Sequence, residues 1–346
     1  MKQLRGNRRK AITLEEKVRN NIQKEKLIQA KEKVIIGVSG GPDSICLLDM
    51  MRKLQEKEQF SILVCHINHQ IRKEAYQDQE FVENYCKKYD IPCYCTQIDV
   101  THMAKTKKIG LEEAGRQARY AFFEEIFKQE KADRIATAHT QNDRVETVLM
   151  HLLRGSGISG LKGIGYTREN GKYIRPLIEI NRKEIEAYCE QNQLNPRIDC
   201  TNQDNTYTRN RIRNELIPYL EKEYNPNLIE SITRLAKTVE VEDAYLQQIA
   251  KEKWEEMKIK QDAQEIVLDL KKFNQQDLVI KNRIVIYTIT ILFGSSSGLE
   301  KVHIRDIISL CENNVGNKYL IPNKKLKVLV KNQKIFFRMQ AEASVS

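Results

Sequence analysis

No two of the eight cysteines stand in a C-x-x-C pair. Cys46, Cys65, Cys86, Cys93, Cys95, Cys189, Cys200 and Cys311 are scattered, and only Cys93-Tyr94-Cys95 comes close. That argues against a paired-cysteine metal or redox motif, and a disulfide framework does not suit a chain of this kind. The plain reading is core thiols, with Cys93 and Cys95 on one face of a strand. No apolar run approaches the roughly 18 residues of a bilayer span. The start, MKQLRGNRRKAIT, is basic but has no apolar core of a secretory signal, and Glu15 and Glu16 follow at once, against a transit peptide. No internal repeat is visible. The expectation is a cytoplasmic protein with no membrane partner.

What is present is a chain of 346 residues, 40% hydrophobic and 30% charged, long enough for two domains. Its net charge of +11 points to a polyanionic partner or to a lysine-rich genome, and charge alone leans only modestly toward nucleic acid.

The first two-thirds alternates short runs rich in Val, Ile and Cys with helix-period segments. Strands are predicted at Lys33–Ser39, Phe60–Ile67, Cys93–Asp99 and Arg134–His139. Helices are predicted at Ser44–Lys57, Ala75–Lys88, Leu111–Lys128 and Asp143–Leu153. This rhythm predicts an α/β fold with a parallel sheet and helices on both faces. Ligands of such sheets bind beyond the carboxyl ends of the strands, where SGGPDS, HINHQIR and TAHTQND all fall. Arg154–Ile178 holds six of the fifteen glycines and is expected to be a long mobile loop. Helix periodicity resumes at Asn181–Gln193. Asp199–Asn214 is polar, with Arg209, Arg211 and Arg213 at alternate positions. Leu228–Met257 is helical, and a shorter mixed tail follows, with a turn at Gly294–Gly298 and strand-like KLKVLV and KIFFRM. Pro218 and Pro226 suggest a boundary near Ile217–Pro226. The expected organisation is a basic extension (1–20), a catalytic domain (21–217) and a smaller, mostly helical C-terminal domain (218–346).

In VIIGVSGGPDSICLLDM (Val34–Met50), a strand runs into a glycine turn and a helix. A Walker loop would carry a lysine here to neutralise the β and γ phosphates, and none is present. Gly40 and Gly41 remove Cβ atoms so that backbone N–H groups face an anion, Ser39 and Ser44 add hydroxyls, and the helix start is positive. Asp43 repels phosphate unless a cation lies between them, so Mg²⁺ is implied. The loop suits a departing pyrophosphate after attack at an α-phosphate. A plain tight turn is the alternative.

Asp143 and Glu146 lie three apart and share a helix face, able to hold an ammonium group or simply to favour a helix start. Arg116 and Arg119 are likewise three apart, suited to phosphate or carboxylate, or to solvent. His66, His69 and His139 all fall at strand ends. Nucleotide or substrate contact is expected of them, and a structural role stays open for His69.

With these segments the chain resembles the N-type ATP pyrophosphatases, the PP-loop superfamily, and within it the tRNA(Ile)-lysidine synthetase family. The resemblance is dense over Leu27–Asn214. It rests on SGGPDS, HINHQIR (His66–Arg72), EEAGRQARY (Glu112–Tyr120), TAHTQNDRVET (Thr137–Thr147), LLRGSGISGLKG (Leu152–Gly163), RPL (Arg175–Leu177) and RNRIRN (Arg209–Asn214). SGGPDS is shared across the superfamily, while the Asp143–Glu146 element, the RGSG loop and RNRIR are specific to the family.

The resemblance implies a ligase that forms a carbon–nitrogen bond. ATP adenylates the wobble cytidine of a tRNA(Ile) with a CAU anticodon, L-lysine then attacks, and the lysidine formed reads as isoleucine instead of methionine. ATP and Mg²⁺ are the implied cofactors. Ser39, Gly40, Gly41, Pro42, Asp43, Ser44, His66 and Arg72 would bind ATP, with Asp43 also the metal ligand. Asp43, Arg119 and His139 would be catalytic. Asp143, Glu146 and Arg116 would bind lysine, and Arg154, Arg209, Arg211 and Arg213 would bind tRNA, as would the C-terminal domain. No protein partner is implied beyond a homodimer, which is left open. Thr140 and Arg144 depart from the family pattern and receive no role. Longer members carry a further C-terminal domain that this sequence is expected to lack.

Two alternatives share the superfamily. A tRNA thiolase typically uses C-x-x-C cysteines, absent here, and GMP or NAD synthetases carry other motifs. A basic RNA-binding protein without catalysis is a different class, and it has no use for Asp43, Asp143 and Glu146 beside RNA phosphate.

Overall fold

Val34, Ile35 and Ile36 follow one another without a polar break, the pattern of a strand covered on both faces. The computed structural model describes residues 12–70, 75–197, 208–294, 300–313, 318–323 and 325–340, and buries all three in strand β1 (Lys33–Gly37). Helix α1 (Leu14–Lys24) precedes β1, opened by a Thr13–Glu16 capping box. Val18 and Ile22, four apart, pack into the same core. The expected extension (1–20) is corrected accordingly: from Leu14 onward the chain is part of the fold, because its apolar stripe finds a partner.

Then come α2 (Pro42–Glu58), β2 (Ser61–Asn68), α3 (Ala75–Lys88), β3 (Cys93–Gln97), α4 (Val100–Lys107), α5 (Leu111–Gln129), β4 (Arg134–Ala136), α6 (Gln141–Leu153), α7 (Ile158–Leu161), β5 (Thr167–Arg168), β6 (Tyr173–Ile174) and α8 (Arg182–Gln191). The strands form one six-stranded sheet in the order β3-β2-β1-β4-β6-β5. Every pairing is parallel except β5 with β6. The apolar side chains of α2, α3 and α8 join one core, and Phe122, Phe123 and Ile126 of α5 join another with Ile35, Leu63 and Cys65. At Gly37 an added Cβ would lie 2.5 Å from Phe123 Cζ, so glycine lets α5 approach the sheet. The strand order reverses between β1 and β4, which makes the space beyond their carboxyl ends the crevice of this sheet.

The segment Arg154–Ile178, expected to be one long loop, carries α7 and the β5–β6 hairpin. The buried Arg144 guanidinium ties it down, Nε donating to the Ile164 carbonyl at 2.7 Å, and Arg175 Nη1 donates to the Gly165 carbonyl at 2.7 Å. Arg144 is thus a brace for this segment.

After α8 follow α9 (Thr208–Arg211), a π-helical turn (Ile212–Leu216), α10 (Ile217–Glu223) and α11 (Leu228–Met257). The chain divides into two compact units, Met1–Val239 and Glu240–Ser346. This division lies inside α11, beyond the boundary expected near Ile217–Pro226. Ile212, Ile217 and Ile229 pack against Val145 and Leu149 of α6, which keeps this stretch with the first unit. Pro218 sits in the first turn of α10, directly after the π-helical turn Ile212–Leu216.

The second unit adds β7 (Lys258–Gln261), β8 (Glu265–Asp269), α12 (Leu270–Asn274), α13 (Leu278–Phe293), α14 (Lys301–Glu312), β9 (Lys318–Asn323), β10 (Leu326–Lys331) and β11 (Lys334–Met339). Its helices cover a five-stranded antiparallel sheet in the order β7-β8-β11-β10-β9. Trp254, Phe273, Ile284 and Phe337 are buried between them. Among the described residues no helix is long and apolar enough to cross a membrane.

Candidate active site

The loop after β1 is a tight glycine turn that leads straight into α2. Gly40 has φ +92°, a left-handed conformation that a side chain would strain. Gly41 is the N-cap of α2 and Pro42 its first residue. The hydroxyl of Ser44 accepts the Ser39 N–H at 3.1 Å and donates to the Gly41 carbonyl at 3.0 Å, fixing the turn from within. Arg197 holds it from outside. Its N–H donates to the Gly40 carbonyl at 3.0 Å and its Nε to Asp78 Oδ1 at 3.4 Å.

Asp43 lies in the first turn of α2, and its Oδ1 is buried with no hydrogen-bond partner. Burial, reinforced by the nearby Asp143, pushes its carboxyl up to about 6 against the pull of Arg182 and Arg213. A buried carboxylate oxygen without a donor, at the mouth of an anion-seeking turn, is what a bridging divalent cation would satisfy. The residues therefore fit Mg²⁺.

The loop opens into a cleft of about 1100 Å³ that His66, His69, Arg119, His139 and Asp143 also line. His66 is buried, and its Nδ1–H donates to the Val38 carbonyl at 2.9 Å, which leaves Nε2 as a buried acceptor with no partner. Burial lowers its pKa. The same cause, aided by Arg119 and His66, brings His69 down to about 4. His139 shares a 2.9 Å hydrogen bond between its Nδ1 and the Thr137 hydroxyl. Burial and the cations Arg175, Arg209 and Arg119 outweigh Asp143 and bring it down to about 4. All three imidazoles are neutral near pH 7. Arg119, exposed at the cleft wall, forms no ion pair among the described residues.

The carboxylates three apart on α6 do meet, but they are not bare. Thr140 caps the helix, and its N–H donates to Asp143 Oδ2 at 2.8 Å. Asp143 Oδ1 accepts from Nη2 of Arg209 at 2.9 Å and of Arg213 at 3.1 Å. Glu146, with 0% of its surface exposed, accepts from Arg209 Nε at 2.7 Å and from Arg213 Nε at 2.5 Å and Nη2 at 3.0 Å. Two carboxylates and two guanidinium groups thus form a closed, charge-balanced cluster. These arginines hold Asp143 below the usual carboxylate range despite its burial, and the acids in turn raise Arg209 and Arg213. Asp143, Arg209 and Arg213 face the cleft, whereas Glu146 lies behind them beside a recess of about 40 Å³ shared with Asp43 and Arg182.

Other expected residues are placed elsewhere. Arg116 is exposed on α5 outside the cleft lining, its guanidinium 5.5 Å from the Tyr120 ring centre. Arg154 is exposed at the end of α6, and Arg211 points to solvent with Glu215 at 3.7 Å. Arg72 lies outside the described residues. Three residues that pattern reading passed over join the site: Asp78, Arg182 and Arg197. Arg182 opens α8 next to the Asn181 cap, and that cap was the one signal available for it.

A glycine turn between a central parallel strand and a helix, at the switch point of the sheet, with an unpartnered acid oxygen in its first turn, defines a nucleotide-binding domain. The PP-loop domain family matches residues 11–220. The tRNA(Ile)-lysidine synthase of Clostridium acetobutylicum is 43% identical over 305 residues, which cover 88% of this chain and 66% of that protein. The enzyme of the same name from Clostridioides difficile is 38% identical over 328 residues, 92% of this chain and 71% of the relative. The chain thus spans about two thirds of the length of the curated relatives it matches. Among solved structures, the U34-tRNA thiolase NcsA from Methanococcus maripaludis shares the fold, with a TM-score of 0.55 and 19% identity over 65% of this chain and 77% of that one. The chain belongs to the PP-loop domain family and, within it, to the tRNA(Ile)-lysidine synthase family.

Proposed function

We propose that this chain forms lysidine on a tRNA(Ile) with a CAU anticodon, in the cytoplasm. The 2-carbonyl oxygen of the wobble cytidine attacks the α-phosphate of ATP and pyrophosphate leaves. The ε-amine of L-lysine then attacks carbon 2 of the adenylated base, and AMP leaves.

The loop Ser39–Ser44 cradles the departing pyrophosphate with backbone N–H groups, two hydroxyls and the start of α2. Asp43 would hold Mg²⁺, which supplies charge neutralisation between that acid and the phosphates. Arg119, without an ion-pair partner among the described residues, stabilises charge on the α-phosphate. The Nε2 acceptor of His66 suits a ribose hydroxyl or an exocyclic amine of the nucleoside. The balanced cluster suits a zwitterion: Asp143 meets the α-ammonium of lysine, and the open edges of Arg209 and Arg213 meet its carboxylate. Glu146 acts through the two arginines and is a positioning residue. Neutral His139 accepts a hydrogen bond from the incoming amine. Residues after Val239 bind tRNA.

The reading is carried by one observation, the meeting in one cleft of an unpartnered Asp43 on a phosphate loop with an acid–arginine cluster fit for an amino acid. Incubation with ATP, Mg²⁺, labelled lysine and total tRNA tests it. Label should enter a tRNA with a CAU anticodon, and pyrophosphate release without lysine incorporation would refute the reading.

A further inference from the structure

The outward face of the second unit's sheet carries an arrangement that the fold does not need. In β10, Leu326, Val328 and Val330 are buried, so Lys327, Leu329 and Lys331 point outward. In β11, Ile335 and Phe337 are buried, so Lys334, Phe336 and Arg338 point outward. The register sets Lys327 opposite Arg338 and Lys331 opposite Lys334, while Tyr319 of β9 stands opposite Leu329. Two like-charge pairs lie directly across neighbouring strands, a placement that costs stability. Lys327, Lys331 and Lys334 form no ion pair among the described residues, and Arg338 alone is answered, by Glu265. Asp269, opposite Lys334, is committed to capping α12.

Two of these cations lie against aromatic rings of the same face. Lys327 Nζ lies 4.3 Å from the centre of the Tyr319 ring, and Arg338 Cζ lies 5.0 Å from that of Phe336. Tyr319 itself is 58% exposed. Such contacts fix two long side chains before any ligand arrives, which lowers the ordering cost of binding. The tight Asn332–Gln333 turn, both residues at positive φ, fixes Lys331 and Lys334 side by side.

We propose that this face, with Lys327, Lys331 and Lys334 as its charged contacts, is where the second unit grips the phosphate backbone of the tRNA. The inference rests on the tRNA substrate given under the proposed function. A row of three cations with no ion-pair partner among the described residues, set on one sheet face by the strand register, matches a polyanion of regular charge spacing and does not match an apolar partner.

The test is binding of a transcribed CAU tRNA to the full chain over a range of salt concentrations. The variant Lys327→Gln/Lys331→Gln/Lys334→Gln should bind about tenfold to a hundredfold more weakly near 0.15 M salt, with its salt slope lowered by roughly two to three. A control neutralising Lys105, Lys107 and Lys108, exposed near α4, should change affinity by less than about threefold. Unaltered circular dichroism checks the fold of both. Unchanged affinity, or an equal loss in the control, overturns the proposal. A changed oligomeric state with unchanged tRNA affinity also overturns it, by giving the face to a second copy of the chain. Lysine incorporation by the wild-type chain, measured alongside, separates failure of this surface from failure of the functional reading.

Discussion

Replacing Glu146 with glutamine keeps the volume of the side chain and removes its charge. The carboxylate is fully buried and accepts three hydrogen bonds from Arg209 and Arg213, which retain only Asp143 once it is gone. Removing one partner of a buried ion pair costs about 3–5 kcal/mol. The arginine side chains are 28% and 27% exposed, so water relieves part of that penalty, and the lower end, about 3 kcal/mol, is expected. The single tryptophan, Trp254, lies in the second unit, which separates the signals. Urea unfolding followed by far-UV circular dichroism should show an early transition in Glu146→Gln, while the Trp254 fluorescence transition stays put. In a double-mutant cycle, Glu146→Gln and Arg213→Gln should couple by at least about 1 kcal/mol. A loss below about 1 kcal/mol, or purely additive losses, would refute a closed charge-balanced cluster.

Three further outcomes follow from the same structure. Asp43 titrates at about 6 in the fold against an ordinary 3.8, so its contribution to stability is full below pH 3.8 and is lost as pH rises through about 6. Asp43→Asn should therefore be about 1–2 kcal/mol more stable than wild type at pH 7.5 without Mg²⁺ and equal to it near pH 4, while pyrophosphate release is abolished; pH-dependent unfolding and a pyrophosphate assay check both. Asp49 is held at about 2 by Arg52, Tyr188, Tyr85 and Lys53 against its burial, so its stabilisation is present above pH 3.8 and lost as pH falls toward 2. Asp49→Asn should cost about 2 kcal/mol at pH 7 by chemical denaturation, with the difference shrinking through that acid window. Gly40→Ala should cost about 1–2 kcal/mol through its positive φ and weaken ATP binding measured by calorimetry.

Much of the first unit was legible because its signals are local. Strands β1 and β2 are apolar runs, β3 and β4 are short runs holding Cys and Ile, and the helices between them carry an apolar face, so type and order follow from periodicity. The three loaded segments were legible as neighbours because parallel sheets place their loops at one end. Other features depend on contacts that spacing does not encode. Arg209, Arg211 and Arg213 alternate in sequence, yet on a helix the first and last share a face and the middle one leaves it. The burial of Glu146 depends on a segment more than sixty residues further along the chain. Arg144 looked like a departure from a motif, whereas its brace to Ile164 is a backbone contact without a sequence mark. In the second unit β10 and β11 announced themselves by alternation, while β7 is short, largely exposed and patternless.

The central claim is that Asp143, with Arg209 and Arg213, receives the amino acid beside a loop that activates the base. It is tested most directly by the lysine dependence of Asp143→Asn, with pyrophosphate release from ATP and tRNA measured separately. Loss of one charged hydrogen bond is worth about 1.5–3 kcal/mol, so KM for lysine should rise about tenfold to a hundredfold while adenylation remains measurable. An unchanged KM for lysine, or adenylation lost outright, would contradict the account.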